Sequence, residues 1–320
     1  MKPRVAIATG DPAGIGPEIS LKAARDPQIL ELCQPVLVGN REVLALYSQG
    51  VPLDDLYIRD VRHAMPRIGE IAPEHGRAAL EIAAVAIEGA RDGKYDAVVG
   101  APHTEAAIHA SGVRFDGYPS FVARLCGLPP EEGVLMLCFA DPREEMRGRE
   151  VRIAHVTLHV GVKQALGQIT RPRIIHTLRA VETALGRLDI QKPRIAVSGV
   201  NPHAGEGGAF GREEIDVVQP ALEELRRAGM RVDGPIGADT LIQRREYDAY
   251  VVMLHDQGHV AAKLLAPQRA AALTIGTPVL FSSVGHGSAL DIAGRGKANP
   301  DAMREAITRL VTRRRRAPAT

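Results

Sequence analysis

Residues 5–24 read Val-Ala-Ile-Ala-Thr-Gly-Asp-Pro-Ala-Gly-Ile-Gly-Pro-Glu-Ile-Ser-Leu-Lys-Ala-Ala. Val5–Thr9 is apolar and β-branched enough for a strand, and Pro17 suits the first turn of a helix running to Ala24. Between them Gly10, Gly14 and Gly16 permit a tight turn that brings backbone N–H groups close to a ligand or to a packed element. The spacing matches neither G-x-G-x-x-G nor a Walker A loop.

The same alternation recurs outward from this segment. Strand-like runs stand at 36–38, 95–100, 135–139, 152–156, 194–197, 249–254 and 279–282. Helical patterns fit at 41–49, 76–93, 174–185 and 216–228. In 76–93, Ala79, Leu80, Ile82, Ala83, Ala86 and Ile87 fall at helical spacing. Strands alternating with helices predict an α/β protein with a largely parallel sheet. Its functional residues then belong at the carboxyl ends of the strands. The length of 320 residues suits two domains or one large one.

Composition narrows the function. Lys and Arg number 40 against 38 Asp and Glu, a net charge of +2 that argues against a nucleic-acid binder. Aromatic residues make up only 3%, with no Trp, so a base-stacking platform is not expected. Cys33, Cys126 and Cys138 are scattered and form no C-x-x-C pair. That argues against a disulfide framework and a cysteine zinc site, and fits a reducing compartment. The apolar run at the start is short for a secretory signal, and no other is long enough to cross a membrane. A soluble cytoplasmic protein is expected. The run Arg313–Arg316 reads as the solvated end of a last helix.

Three segments offer chemistry. His159, His203 and His255 each follow a strand-like run, and Glu206 and Asp256 stand near two of them. Three imidazoles converging at strand ends can hold a divalent metal with a coordination position open, although a structural role for each is equally compatible with the spacing. The stretch Ser283–Pro300 is rich in Gly and small residues, which suits either close approach to a flat ligand or an ordered loop. Asp233-Gly-Pro-Ile-Gly-Ala-Asp239-Thr reads as a turn, with Asp239 either near a metal or capping a helix.

Five motifs carry a family resemblance: Thr-Gly-Asp-Pro-Ala-Gly-Ile-Gly-Pro-Glu (9–18), Asn-Pro-His-Ala-Gly-Glu (201–206), Gly-Pro-x-x-Ala-Asp-Thr (234–240), His-Asp-Gln-Gly (255–258) and His-Gly-Ser-Ala-x-Asp-Ile-Ala-Gly-x-Gly (286–296). Across essentially its whole length the chain resembles the 4-hydroxythreonine-4-phosphate dehydrogenase family. The resemblance implies two α/β/α domains around a cleft, like those of isocitrate and isopropylmalate dehydrogenases. One domain would take 1–129 with 276–320, and the other 130–275. It implies a homodimer with His159, His203 and His255 as ligands of a divalent metal (Zn, Co, Mn or Mg), His255 coming from the other subunit. It also implies an NAD or NADP cofactor, and Lys263 as a substrate contact. Gly285, His286, Gly287, Ser288, Asp291, Gly294 and Asn299 would meet the cofactor. The family oxidises a secondary alcohol, and the resulting 3-oxo acid loses CO2.

Departures from the pattern redirect the expected substrate. Where phosphate-binding members carry Gly-His-Thr-Glu, this chain has Gly117-Tyr118-Pro119-Ser120, and the position of a substrate-contacting arginine is held by Phe281. Loss of an arginine–phosphate contact is not a neutral change. The same residues are similar to the terephthalate cis-dihydrodiol dehydrogenase branch, as are Pro102-His103, His155–His159 and Met253–His259. A flat ring is expected against Tyr118, Ser120 and Phe281. Asp256, or a water held by Asp239, is expected to take the alcohol proton. Lys263 would neutralise a carboxylate or protonate the product.

Overall fold

The computed structural model of the chain describes residues 2–143, 149–266 and 270–311, so the Arg313–Arg316 run lies outside the described residues. Eleven strands follow in chain order: β1 (Arg4–Ala8), β2 (Gln34–Gly39), β3 (Tyr57–Asp60), β4 (Ala97–Gly100), β5 (Val134–Ala140), β6 (Glu150–His155), β7 (Arg194–Ser198), β8 (Arg231–Ile236), β9 (Ala249–Val252), β10 (Ala271–Ile275) and β11 (Phe281–Ser283). Helices intervene between most of them, so the α/β expectation holds.

The chain divides into two compact units. One takes the residues up to Pro130 together with those from Ala271 onward, and the other takes Glu131–Ala270. The boundary expected after residue 275 falls before Ala271, because β10 pairs antiparallel with β11. In the first unit the strand order is β3-β2-β1-β4-β11-β10, parallel from β3 to β11. Its core joins Ala6 and Ala8 of β1, Val38 of β2 and Val98 of β4 to Ile82, Ala83, Ala86 and Ile87 of the helix Pro73–Arg91. The helical spacing noted over 76–93 is the buried face of that helix.

In the second unit the order is β5-β6-β9-β7-β8, with only the β5–β6 pair antiparallel. The β7 and β9 strands are short apolar runs buried along most or all of their length, as parallel strands covered on both faces are. Three strands escape the sequence patterns for separate reasons. The β3 strand is an edge strand whose residues are mostly exposed, so it lacks an apolar alternation. In β10 the alanines carry little strand preference. The β8 strand runs through Gly234 and Pro235, and it corrects the expected turn at 233–240: Asp233 lies in an edge strand, where proline is tolerated.

Candidate active site

In the second unit β6, β9 and β7 lie side by side and parallel. His159 follows β6, His255 follows β9 and His203 follows β7, so all three histidines stand beyond carboxyl ends of adjacent strands. The rings of His159 and His255 are 5.5 Å apart between centroids. Both line a cavity of about 460 Å³, together with Thr157, Leu158, Val162 and Asp256. His203 is not among the residues lining it. Among the described residues no three His, Cys, Asp or Glu side chains converge as a metal site within one chain. Within that one chain His255 stands beside His159, although the resemblance placed the two on different subunits.

His255 opens the helix His255–Leu265. Its Nδ1 lies 2.7 Å from Asp256 Oδ1, a pairing that puts the proton on Nδ1 and leaves Nε2 as the donor to a metal. Asp256, expected as a base, is therefore placed to orient His255. Gln257 ties the helix to two strands: its Oε1 accepts from the Met253 and Leu254 N–H groups, both at 3.0 Å, and its Nε2 donates to Gly199 O at 3.0 Å. Lys263 lies exposed in the last turn of this helix. His203 lies on a turn in which residues 203–207 all have positive φ. The buried Glu214 holds that turn, accepting from the Val200 and Asn201 backbone N–H groups at 2.7 and 2.8 Å and from Asn201 Nδ2 at 2.9 Å. Gln257 and Glu214 were missed in the sequence because neither reacts. Their signal was position, one inside His-Asp-Gln-Gly and one a carboxylate in an apolar helical stretch. Asp239 does not cap a helix. Gly237 is the cap, and Asp239 lies exposed in the first turn of Ala238–Leu241. A Cβ built on Gly237 would fall 2.7 Å from Asp239 Oδ1 and 3.6 Å from His203 Cα, so that carboxylate lies near His203.

Behind the cavity two more histidines stack inward. His259 lies flat on His255 with centroids 3.7 Å apart, and His155 follows at 4.7 Å from His259. Burial, with His259 as the next cause, pushes the His155 pKa down to about 3. Burial and then His255 push that of His259 down to about 4. Unfolded, both would take a proton near pH 6.5. The folded state therefore binds fewer protons below that value, and stability present above pH 6.5 is lost as the pH falls toward 4. The slope is about 1.4 kcal/mol per pH unit for His155 and less for the half-exposed His259. Urea unfolding of metal-free protein at pH 7 and pH 5 is expected to show this loss, and His259→Gln to reduce it. An unchanged midpoint would contradict neutral burial.

In the first unit the glycine turn proves to be a packing device. Residues 5–20 are all buried. Ile15 N donates to Ser288 O at 2.9 Å, and a Cβ on Gly14 would meet Ser288 Cβ at 2.6 Å. Thr104 Oγ1 donates to Asp11 Oδ2 and lies 3.0 Å from Ser288 Oγ. Glu18, 2% exposed, accepts from Ala298 N at 2.8 Å and pairs with Lys22, whose Nζ also reaches Gly296 O and Ala298 O. The turn and first helix thus shape the loop 285–299. Glu18→Ala is expected to cost about 1–3 kcal/mol in unfolding free energy and to loosen that loop. Thermal unfolding with and without cofactor would measure both effects.

The residues expected at the cofactor separate into two groups. Gly287, Asp291 and Gly294 are exposed, and Gly285 and His286 are half-buried. Ser288 is buried against Gly14 and Thr104, and Asn299 Oδ1 accepts from Asp301 N at 2.9 Å at the start of the helix Asp301–Val311. Ser288 is therefore committed to the loop's own shape, whereas Asn299 is exposed. Among the residues expected at the substrate, Tyr118 is 7% exposed and Ser120 half-buried, whereas Phe281 is fully buried in the core. Phe281 therefore has no surface to offer a ligand. It backs Tyr118, with ring centroids 4.6 Å apart.

Comparison with known proteins gives the class first. The chain is 43% identical over 314 residues, 96% of either chain, to the 1,2-dihydroxy-3,5-cyclohexadiene-1,4-dicarboxylate dehydrogenase of a Comamonas species. The solved 4-hydroxythreonine-4-phosphate dehydrogenase of Klebsiella pneumoniae matches at 32% identity and a TM-score of 0.80, over 97% of this chain and 98% of that one. A β-decarboxylating dehydrogenase from Thermococcus kodakarensis, 18% identical with a TM-score of 0.52 over 97% and 82% of the two chains, shares the fold alone. The protein is thus a dehydrogenase, with a fold like that of the β-decarboxylating dehydrogenases. The model of the family described as pyridoxal phosphate biosynthetic protein PdxA matches residues 29–310, and the chain belongs to that family. Among the described residues no helix is long and apolar enough to cross a membrane.

Proposed function

We propose that the chain catalyses the metal-dependent, NAD- or NADP-linked oxidation and decarboxylation of a carboxylated cis-dihydrodiol of the terephthalate type, giving a catechol acid. The observation that carries this reading is the 43% identity, over 96% of both chains, to the dihydrodiol dicarboxylate dehydrogenase. The Tyr118-Pro119-Ser120 replacement supports it, since no side chain there carries the positive charge that a phosphate dianion favours.

His159, His203 and His255 supply nitrogen donors that fit a divalent ion of the nitrogen-preferring kind, and the set would be completed across the dimer, since His203 does not converge on the other two within one chain among the described residues. When bound, such an ion supplies Lewis acidity to an alcohol and to the carbonyl that replaces it. Asp256 keeps His255 in the ligating tautomer. Asp239, the carboxylate near His203, takes the hydroxyl proton. A nicotinamide cofactor held along 285–299 would supply the acceptor for the hydride of the same carbon, which would leave a ketone in place of the alcohol. The bond to the β-carboxylate then breaks, its electron pair forms the enol as CO2 departs, and the ring becomes aromatic. Lys263 faces the substrate as a counter-charge to a carboxylate or returns the proton to the product.

The working form is a homodimer. Val162 and Leu166 on one helix and Val260 and Leu264 on another are exposed, in the two elements that also carry walls of the histidine cavity. A second copy covering them would place its residues beside the site. Light scattering at a dimer's mass supports this, and a monomer at micromolar concentration contradicts it. Cys33, Cys126 and Cys138 form no disulfide among the described residues, which suits the cytoplasm.

The test is NAD(P)H formation by metal-loaded and chelator-treated protein, with the dihydroxycyclohexadiene dicarboxylate and with 4-phosphohydroxythreonine. Chelator-sensitive turnover of the diol with release of CO2 supports the reading. Turnover of the phosphorylated substrate alone overturns it.

A further inference from the structure

The first unit holds a polar cluster that the reaction above does not use. His103 lies just beyond the carboxyl end of β4, in Ala101-Pro-His-Thr. Its ring stands edge-on to Phe115 at 5.1 Å and to Tyr118 at 5.0 Å, and those two rings meet edge-to-face at 5.4 Å. The next residue, Thr104, is bound to Asp11 and to Ser288 of the 285–299 loop. His103 thus joins an aromatic cluster to the segment proposed for the cofactor.

The chemistry of the cluster is specific. Burial lowers the His103 pKa against the pull of Glu105 and Asp11, so the ring is neutral. Burial also raises that of Tyr118, whose hydroxyl keeps its proton. Neither the His103 ring nitrogens nor the Tyr118 hydroxyl has a hydrogen-bond partner among the described residues; His103 is half-buried and Tyr118 is 7% exposed. Polar atoms set among apolar side chains are normally satisfied, by protein, water or ligand. Arg124 does not serve here, because it is paired with Asp116 at 2.7 Å. The cluster therefore presents two neutral donors beside aromatic edges. That arrangement suits a carboxylate on a flat ring, with the ring against the aromatic side chains, and suits a phosphate dianion poorly.

We propose that His103 is a substrate-binding residue which, together with the Tyr118 hydroxyl, receives the carboxylate that a ring-bearing substrate keeps through the reaction. This rests on the dihydrodiol reading, and it assigns the specificity for a second carboxylate to His103.

Calorimetric titration of the full chain with benzene-1,4-dicarboxylate and with benzoate tests it, alongside steady-state kinetics on the diol. Wild-type protein is expected to prefer the dicarboxylate. His103→Phe keeps the ring and removes the nitrogens. It is expected to weaken dicarboxylate binding about tenfold or more, to erase the preference over benzoate, and to raise KM with kcat changed less than about threefold. Tyr118→Phe should do the same to a smaller extent, and His103→Asn should restore part of the loss. A purely structural role would instead lower kcat and the melting temperature and leave the preference intact. Dicarboxylate binding by His103→Phe at wild-type strength overturns the role of His103 alone. Wild-type protein that ignores the dicarboxylate but turns over 4-phosphohydroxythreonine overturns the dihydrodiol reading, and this inference with it.

Discussion

His255→Ala is expected to lower turnover about 10³-fold or more while the protein stays folded. The side chain is a third exposed, so little packing is lost with it. What goes is the nitrogen nearest to His159 and the group that Asp256 orients. A bound ion contributes several kcal/mol to the stabilisation of developing charge, and each 1.4 kcal/mol is tenfold in rate. Turnover of the diol, metal content and circular dichroism would be measured on the same preparation. Retention of more than about a tenth of wild-type turnover would remove His255 from the site. Loss of the far-ultraviolet signal would instead assign it a structural role.

Gly14→Val is expected to act through the other unit and to be nearly as severe. A Cβ at residue 14 would lie 2.6 Å from Ser288 Cβ and 2.8 Å from Ser288 O. One of those contacts is backbone, so no rotamer change relieves it. The strand-to-helix turn and the 285–299 loop must then part, breaking the Ile15 N to Ser288 O bond and displacing the Thr104 contact. Overpacking of this kind costs about 1–3 kcal/mol, and a branched side chain falls at the upper end. The cofactor KM is expected to rise about 100-fold, with the affinity for the metal unchanged, because the histidines belong to the other unit. Equal loss of cofactor and metal binding would show general unfolding rather than a displaced loop.

How far the sequence carries the fold depends on which strands are asked about. The β1, β4, β7 and β9 strands are legible because buried parallel strands are short apolar runs closed by Gly, Ser or Asp. The β3 and β10 strands are silent because one is a partly exposed edge and the other is built from alanine. The placement of the three histidines beyond strand ends is legible because each follows a short apolar run that forms a strand. Phe281 misleads for the opposite reason. Matching it to the position of a contacting arginine locates its Cα, but a phenyl ring there turns into the core. Ser288 shows the same limit, since a side chain in a cofactor motif can be buried in the service of the loop's shape. Glu214 and Gln257 lie beyond motif reading, because their work is to hold backbone in unusual positions.

The division of the chain into one continuous and one interrupted unit bears on its synthesis. Residues 131–270 hold all five strands of their own sheet and can close it as soon as they leave the ribosome. The other sheet waits. Its β11 strand, which pairs with β4, is about 180 residues further along the chain, so the partner of β4 is made last. Until then β4 presents an unpaired apolar edge, the kind of surface that invites wrong pairing. The nascent protein thus carries a finished second unit while the first is still open, and such long-range closure is slow. Chaperone demand during expression, and the yield of any variant that weakens β11, are expected to follow that interval.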